Sequence, residues 1–376
     1  MFRNLPSVRS FCAALALVVL ASTPGFAQPA PAAPLAFSQP LTVKWRYTSD
    51  QATNFTPATD GKSLYVPLSG GAMIALNATD GRLLWRAEAG GEFSATPCAD
   101  EQVVYVATQY PAADTNITRG ALRAVSKETG ITLWMRTLQA PVLGVLVAGQ
   151  GALFAGSANG NVYAFDTRTG RTIWVNQYGD GFESHPALAG NRLYIGSNAG
   201  WLLALSQSTG ELIWSFRARG SIQGAIAITN GMVFFGSGDG YVYAVSEAGA
   251  KLRWKRRTGA AVQAVVSSED GVIASSFDNF AYLLSLKKGD LVWRQLLPGR
   301  VAARPLTAPD GALFTPLSTD NAIVLSLKNG KPVNTMSIGE ENSSSAAPIA
   351  ASDVIILTTP HGLLAFSNAE QRPVAH

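Results

Sequence analysis

Side chains that bind metals or carry redox chemistry are scarce in this chain, which holds three histidines and two cysteines in 376 residues. Cys12 lies in an N-terminal stretch expected to be removed. Cys98 is then the lone thiol of the mature chain, and no intrachain disulfide can form. Stability in an oxidising compartment has to come from burial and sheet hydrogen bonds instead. No Cys-x-x-Cys-His stretch is present to attach a haem. Charge is sparse as well, at 14% of residues; removing residues 1–27 takes away Arg3 and Arg9 and no acid, so the formal charge of +4 falls by two to +2. That excess is too small to argue for nucleic acid or a membrane surface as partner. The apolar run near the N-terminus, residues 11–21, is eleven residues long and cannot span a bilayer, so no transmembrane segment is expected.

That same run reads as the core of an export signal. Arg3 and Arg9 supply a basic start and Gly25-Phe26-Ala27 a small-residue cleavage site, so residues 1–27 are expected to be a signal peptide. Cys12 sits at the entrance of the apolar core and not after it, which argues against a lipoprotein anchor. The expected location is the periplasm, with secretion from the cell left open. Residues 28–40, rich in Pro and Ala, read as a semi-stiff linker, and residues 371–376 as a C-terminal tail.

What the chain has in abundance is tryptophan at a fixed interval. Trp45, Trp85, Trp134, Trp174, Trp214, Trp254 and Trp293 follow one another at 40, 49, 40, 40, 40 and 39 residues, and Asn334 takes the next place. The long interval holds an insertion over residues 109–120, QYPAADTNITRG. Within each unit, turn signals separate alternating apolar segments: Asn159-Gly160 and Thr169-Gly170 divide the segments before Trp174, and Asn230-Gly231 and Asp239-Gly240 recur before Trp254. Gly and Asn supply the positive φ that tight hairpins need. Each unit is thus a four-stranded meander, and a repeat of about 40 residues that cannot bury both faces alone packs radially as propeller blades.

Seven units run to completion, and an eighth stops after its third strand, GLLAFS at 362–367. The missing outer strand is present at the other end of the chain as LTVKWRYT, 41–48. The expected fold is therefore all-β: an eight-bladed β-propeller over residues 41–370, of four-stranded antiparallel blades, its ring closed by the N-terminal strand completing the C-terminal blade.

The segment AFDTRTGRTIW, ending at Trp174, resembles the Ala-x-Asp-x-x-Thr-Gly-x-x-x-Trp signature of pyrroloquinoline quinone (PQQ) repeats. ALSQSTGELIW and AVSKETGITLW match it except for Ser206 and Ser126 at the Asp place, and ALNATDGRLLW has Asn77 there. The resemblance spans Trp45 to Ser367. Two branches share these repeats: quinoprotein dehydrogenases, and non-enzymatic propellers of the BamB type that serve outer-membrane protein assembly. Compact blades with one short insertion resemble the BamB-like branch. The resemblance also implies what a dehydrogenase would need, namely a vicinal disulfide stacked on the quinone, a calcium ion held by carboxylates and an amide, and an Asp base. One mature cysteine cannot make that disulfide. No cofactor, metal ligand or catalytic residue is therefore assigned. The contact residues of the BamB type do not carry over, because the corresponding connectors here read RARGSIQGA and NQYGDGFES.

The tryptophan column reads as packing between blades rather than a ligand-stacking ladder, each buried indole being worth on the order of 2 kcal/mol. His361 falls in a turn and His376 at the terminus. His185, beside Glu183 in GFESHPAL, is expected at the start of an innermost strand facing the central channel, where polar side chains are commonly just hydrated. Basic residues gather around the fifth blade: Arg217, Arg219, Lys251, Arg253, Lys255, Arg256 and Arg257. They read either as a charged edge that blocks sheet-to-sheet association or as an interaction surface.

The connectors from each outer strand to the next inner strand share one face with the second hairpin turns and the insertion. This loop-bearing face is the expected interaction surface. Its candidate residues are Glu183, His185, Arg217, Arg219, Gln223, Arg256, Arg257, Gln263 and Arg304, with Glu92, Arg300, Glu340, Glu341 and Asn342 on the same loops. The reading is a monomeric, exported, non-catalytic scaffold that binds another envelope protein, including a barrel-assembly component. The alternative is a quinone- or small-molecule-binding propeller related to PQQ-dependent dehydrogenases, which titration with the quinone and calcium would reveal. A third class, a carbohydrate-binding propeller, draws only on Tyr110, Tyr178 and Phe182 as exposed loop aromatics.

Overall fold

A computed structural model describes residues 35–112 and 117–368. The expected signal peptide, the first part of the linker and the C-terminal tail lie outside the described residues. Eight sheets are present, seven four-stranded and one, over residues 92–138, with its inner strand in two pieces. We number the blades 1 to 8 in chain order: 58–88, 92–138, 147–177, 187–217, 227–257, 262–296, 306–337, and 349–368 joined by 41–48. In the last, Leu41–Thr48 pairs antiparallel with Gly362–Asn368, Trp45 lying opposite Ala365. The ring is therefore closed as the repeat count requires.

The repeat signature has a physical reading in the blades that carry it. Its Ala lies opposite the tryptophan on the neighbouring strand, as in Ala164–Trp174 and Ala204–Trp214, and the small side chain leaves room for the indole. The Asp place needs only a hydrogen-bond acceptor. Asp166 Oδ1 accepts from the Thr169 N–H and hydroxyl at 2.7 and 2.6 Å, while Asn77 and Ser206 accept from the same turn in their own blades. The Gly receives the indole of the preceding blade: a Cβ on Gly170 (φ 66°) would lie 2.6 Å from the Trp134 ring, and one on Gly210 (φ 73°) 2.6 Å from that of Trp174. Blade 5 departs, with Ala250 at φ 58° in the Gly place.

Each indole N–H also donates to a carbonyl of the next blade: Trp45 to Ala78 at 3.0 Å, Trp134 to Thr167 at 2.9 Å, Trp214 to Glu247 at 2.9 Å and Trp293 to Leu327 at 2.7 Å. Trp85, Trp174 and Trp254 do the same to Lys127, Gln207 and Leu286. The hydrophobic core is correspondingly divided into eight clusters, each shared by two adjacent blades. Burying an aromatic column while satisfying its polar tip is what makes tryptophan preferable here to phenylalanine.

Two regions extend the expected plan. Residues 35–40, assigned by sequence to the linker, pack on the disc: Phe37 is buried between blades 7 and 8, and Ser38 donates its N–H and hydroxyl to Asp310 at 2.8 and 2.7 Å. The insertion lengthens the middle hairpin of blade 2, with Tyr110 opposite Arg119 and Pro111 opposite Thr118.

Candidate functional site

On the face that carries the connectors, the loops are fastened to the turns beside them. Between blades 3 and 4, Glu183 accepts from Asn198 Nδ2 and from Gln223 Nε2, both at 3.0 Å, and Gln223 also donates to Asn198 Oδ1 at 3.3 Å. Two successive connectors are thereby tied to one hairpin. The Arg219 N–H donates to Asp239 Oδ2 at 3.0 Å, and the same carboxylate accepts from Tyr243 at 2.7 Å. One blade on, Gly259 donates to Asp278 Oδ2 at 2.7 Å, and Tyr282 donates to the same oxygen. Glu92 accepts the Gly70 N–H at 2.9 and 3.0 Å. Several acidic side chains here are absorbed in holding loops, and Arg217, Arg219, Arg256 and Arg257 are exposed and outside any ion pair among the described residues.

Three arginines and a lysine of this face sit over aromatic rings. Arg217 stacks over Trp201 at 4.7 Å, Arg294 over Phe280 at 5.3 Å and Arg300 over Phe277 at 4.9 Å, with Lys255 over Tyr241 at 4.7 Å. Such stacking orders a long side chain without consuming its hydrogen-bond donors. Arg256 and Arg257 line a groove of about 410 Å³ with Arg294, Asp278, Phe280 and Tyr282.

The expected site residues thus fall into separate groups. Glu183 and Gln223 meet directly, and Gln263 lies alongside, its backbone carbonyl so close to Gly224 that a Cβ there would collide with it. Glu183, His185 and Arg304 line a central cavity of about 390 Å³. Arg217 and Arg219 stand on blade 4's edge of the face, and Arg256 and Arg257 on the next blade's groove. Burial lowers the His185 pKa to about 4, with the charge of Arg304 adding to the effect, so the imidazole is neutral near neutrality. Burial also pushes the Cys98 thiol well above its ordinary value, with Asp100 reinforcing the shift.

Three expectations need correction or extension. Phe182 is 1% exposed and packs between blades 3 and 4, so it is not an exposed loop aromatic, and Tyr178 is half-buried and donates its hydroxyl to the Gly210 carbonyl. Asn342 is 2% exposed and holds the Pro316 carbonyl at 3.0 Å, a structural role. Asn198, Arg294 and Ser94 were not anticipated. Asn198 and Arg294 become visible only when equivalent positions of successive blades are aligned. Ser94 has no such marker. Among the described residues, no group of three or more His, Cys, Asp or Glu is placed to hold a metal ion, and no helix is long and apolar enough to cross a membrane.

A family model described as outer membrane protein assembly factor BamB matches residues 41–158, 158–278 and 199–374. The outer membrane protein assembly factor BamB of Shewanella oneidensis is 35% identical over 104 residues, 26% of this chain and 24% of that protein. The chain thus aligns with about a quarter of that relative's length. Among solved structures, BamB from Moraxella catarrhalis superposes with a TM-score of 0.74 at 16% identity, covering 89% of this chain and 99% of that one. The quinohemoprotein alcohol dehydrogenase from Comamonas testosteroni reaches 0.68 at 12% identity, covering 89% and 78%. At such identities the structural likenesses establish the fold.

Proposed function

The chain belongs to the family of the outer membrane protein assembly factor BamB, and from that premise we propose that it is an exported, non-catalytic propeller whose connector face binds another envelope protein of outer-membrane barrel assembly. The single observation carrying the choice of face is the tie between Glu183, Asn198 and Gln223, which holds neighbouring connectors rigid beside exposed, unpaired arginines. A preorganised loop surface loses little entropy on binding, and arginine in such a setting grips carboxylates with two parallel hydrogen bonds. An acidic patch on the partner is therefore the expected complement to Arg217, Arg219, Arg256 and Arg257. Affinity capture from solubilised envelopes tests the reading. A stable protein partner lost on Arg219→Glu and Arg257→Glu supports it. No partner even after cross-linking overturns it.

A further inference from the structure

Two residues beyond the tryptophan of an outer strand, or beyond Asn334 in blade 7, strand alternation aims a side chain at the gap toward the next blade. In blade 4 it is Phe216, whose ring meets those of Phe235 and Tyr243 edge-on at 5.8 and 5.6 Å and fills the gap. In blade 7 it is Met336, 1% exposed among blade 8 residues. In blade 2 it is Arg136, which donates to the Gly170 and Thr169 carbonyls across the gap, both at 2.8 Å. Blade 5 has Arg256 there, exposed, its guanidinium outside every hydrogen bond, ion pair and ring stack among the described residues. Unlike Phe216 it does not close the gap, and unlike Arg136 it is not engaged by the next blade's turn.

The gap left open is the groove of about 410 Å³. Arg294 enters it from the opposite wall. It follows Trp293 directly and so faces back toward blade 5, opposite Tyr282 on the neighbouring strand and over the Phe280 ring at 5.3 Å. Arg257 and Leu291 join the lining, and Asp278 is its acid. The Asp278 oxygens accept from the N–H groups of Gly259 and Phe280 and from the Tyr282 hydroxyl. Three guanidiniums against one carboxylate leave two positive charges in excess.

These arginines are hydrated when the groove is empty, so burial plays no part in what they select. Their placement on facing walls does. A carboxylate presents two oxygens and one charge, which a single guanidinium fork satisfies. A phosphate monoester presents three terminal oxygens and carries about −1.5 to −2 near neutrality, so it accepts from both walls and matches the excess. The Phe280 and Tyr282 rings and Leu291 offer apolar contact to the body that bears the phosphate. Stacking on Phe280 orders Arg294 while leaving its donors free.

We propose that the groove between blades 5 and 6 binds a phosphate group carried on an apolar or aromatic body, with Arg256 and Arg294 as facing donors. The proposal goes beyond the barrel-assembly reading. Arg256 and Arg257 border both surfaces, but the test uses the protein alone, so its outcome is separate from whether a protein partner is captured. The phosphate belongs either to a soluble ester or to the headgroup of an anionic lipid.

The experiment is calorimetric titration of the mature protein, at fixed ionic strength, with phenyl phosphate, sodium phosphate, benzoate and a tetraglutamate peptide. Saturable binding of phenyl phosphate is expected, about tenfold tighter than benzoate and tighter than sodium phosphate. Arg256→Phe, which installs the gap-filling residue of blade 4, and Arg294→Gln are each expected to weaken it about tenfold or more. Lys331→Gln, which removes a charge from blade 7, is expected to leave it unchanged, and thermal melts of each variant separate lost binding from lost fold. Flotation with phosphatidylcholine vesicles containing phosphatidic acid, absent with phosphatidylcholine alone and lost in Arg256→Phe, assigns the phosphate to a lipid. Phenyl phosphate binding without flotation assigns it to a soluble ester. Tighter binding of benzoate or of the peptide than of phenyl phosphate overturns the proposal in favour of a carboxylate-bearing partner. So does no saturable binding of phenyl phosphate, or unchanged binding in well-folded Arg256→Phe and Arg294→Gln.

Discussion

Asn334, which stands where seven outer strands carry tryptophan, donates its side-chain N–H to the carbonyls of Phe37 and Gln39 at 3.0 and 2.7 Å. It thereby repeats, with a smaller side chain, the hydrogen bond by which each indole holds the next blade. The recipient differs: it is the segment leading into the N-terminal strand, whose Phe37 fills the space between blades 7 and 8. The two ends of the chain are therefore secured twice, once by strand pairing and once by this side chain.

Replacing Asn334 with Ala is expected to destabilise the propeller by about 1–2 kcal/mol through two lost hydrogen bonds. Trp45→Ala is expected to cost more, about 3–5 kcal/mol, because it empties an indole site at the seam and leaves the Ala78 carbonyl unpaired. Urea unfolding of the two variants checks the order.

The Gly place of the signature gives a paired prediction. Gly210→Ala puts a Cβ at 2.6 Å from the Trp174 ring on a φ of 73°, and a loss of about 2–3 kcal/mol is expected. Ala250 already occupies the equivalent position at φ 58°, so Ala250→Gly is expected to gain up to about 1 kcal/mol. Thermal melts that showed both changes destabilising would contradict this account of the signature.

How much of this was legible beforehand follows from which physics is periodic. The tryptophan interval, the turn residues and the orphan strand at 41–48 recur or complement each other along the chain, so blade number and closure could be read from Trp45 and GLLAFS. The exposure of loop residues is not periodic. Phe182 looked like a surface aromatic, yet it packs against Ile195 and Leu205 because its connector dips into the interblade space. Asn342 was misplaced because its burial depends on the hairpin turn of the preceding blade at Pro316, and residues 35–40 because theirs depends on contacts almost 300 residues away in sequence, such as that between Phe37 and Asn334. Of the candidate site, Glu183 and Gln223 were foreseen as loop residues. Their direct hydrogen bond was not, since it joins two blades.

Acid stability should show two steps. The folded His185 has a pKa of about 4 against an ordinary 6.5, so between those values the unfolded chain takes up a proton that the folded chain refuses. Stability is expected to decline as pH falls from 6.5 toward 4, by about 1–2 kcal/mol, and His185→Gln should flatten that step.

Asp60 governs a lower window. Burial works against its charge, but the Lys127 ammonium at 2.6 Å and the N–H groups of Ser63 and Lys62 outweigh it and hold the carboxyl at about 2, below its ordinary 3.8. Its contribution is present above 3.8 and lost as pH falls through 2. Asp60→Asn is expected to cost about 1 kcal/mol at neutral pH, after allowance for screening at a partly exposed pair, and nothing near pH 2. Denaturant melts across that range check both residues.

The functional reading stands on which face of the disc meets a partner. A photo-reactive amino acid placed at Arg219, on the connector face, and separately at Asn191, in the opposite hairpin of the same blade, tests it in intact envelopes. The expected result is a discrete protein adduct from position 219 and none from 191. Adducts only from 191, or none from 219 although the variant folds and is exported, would contradict it.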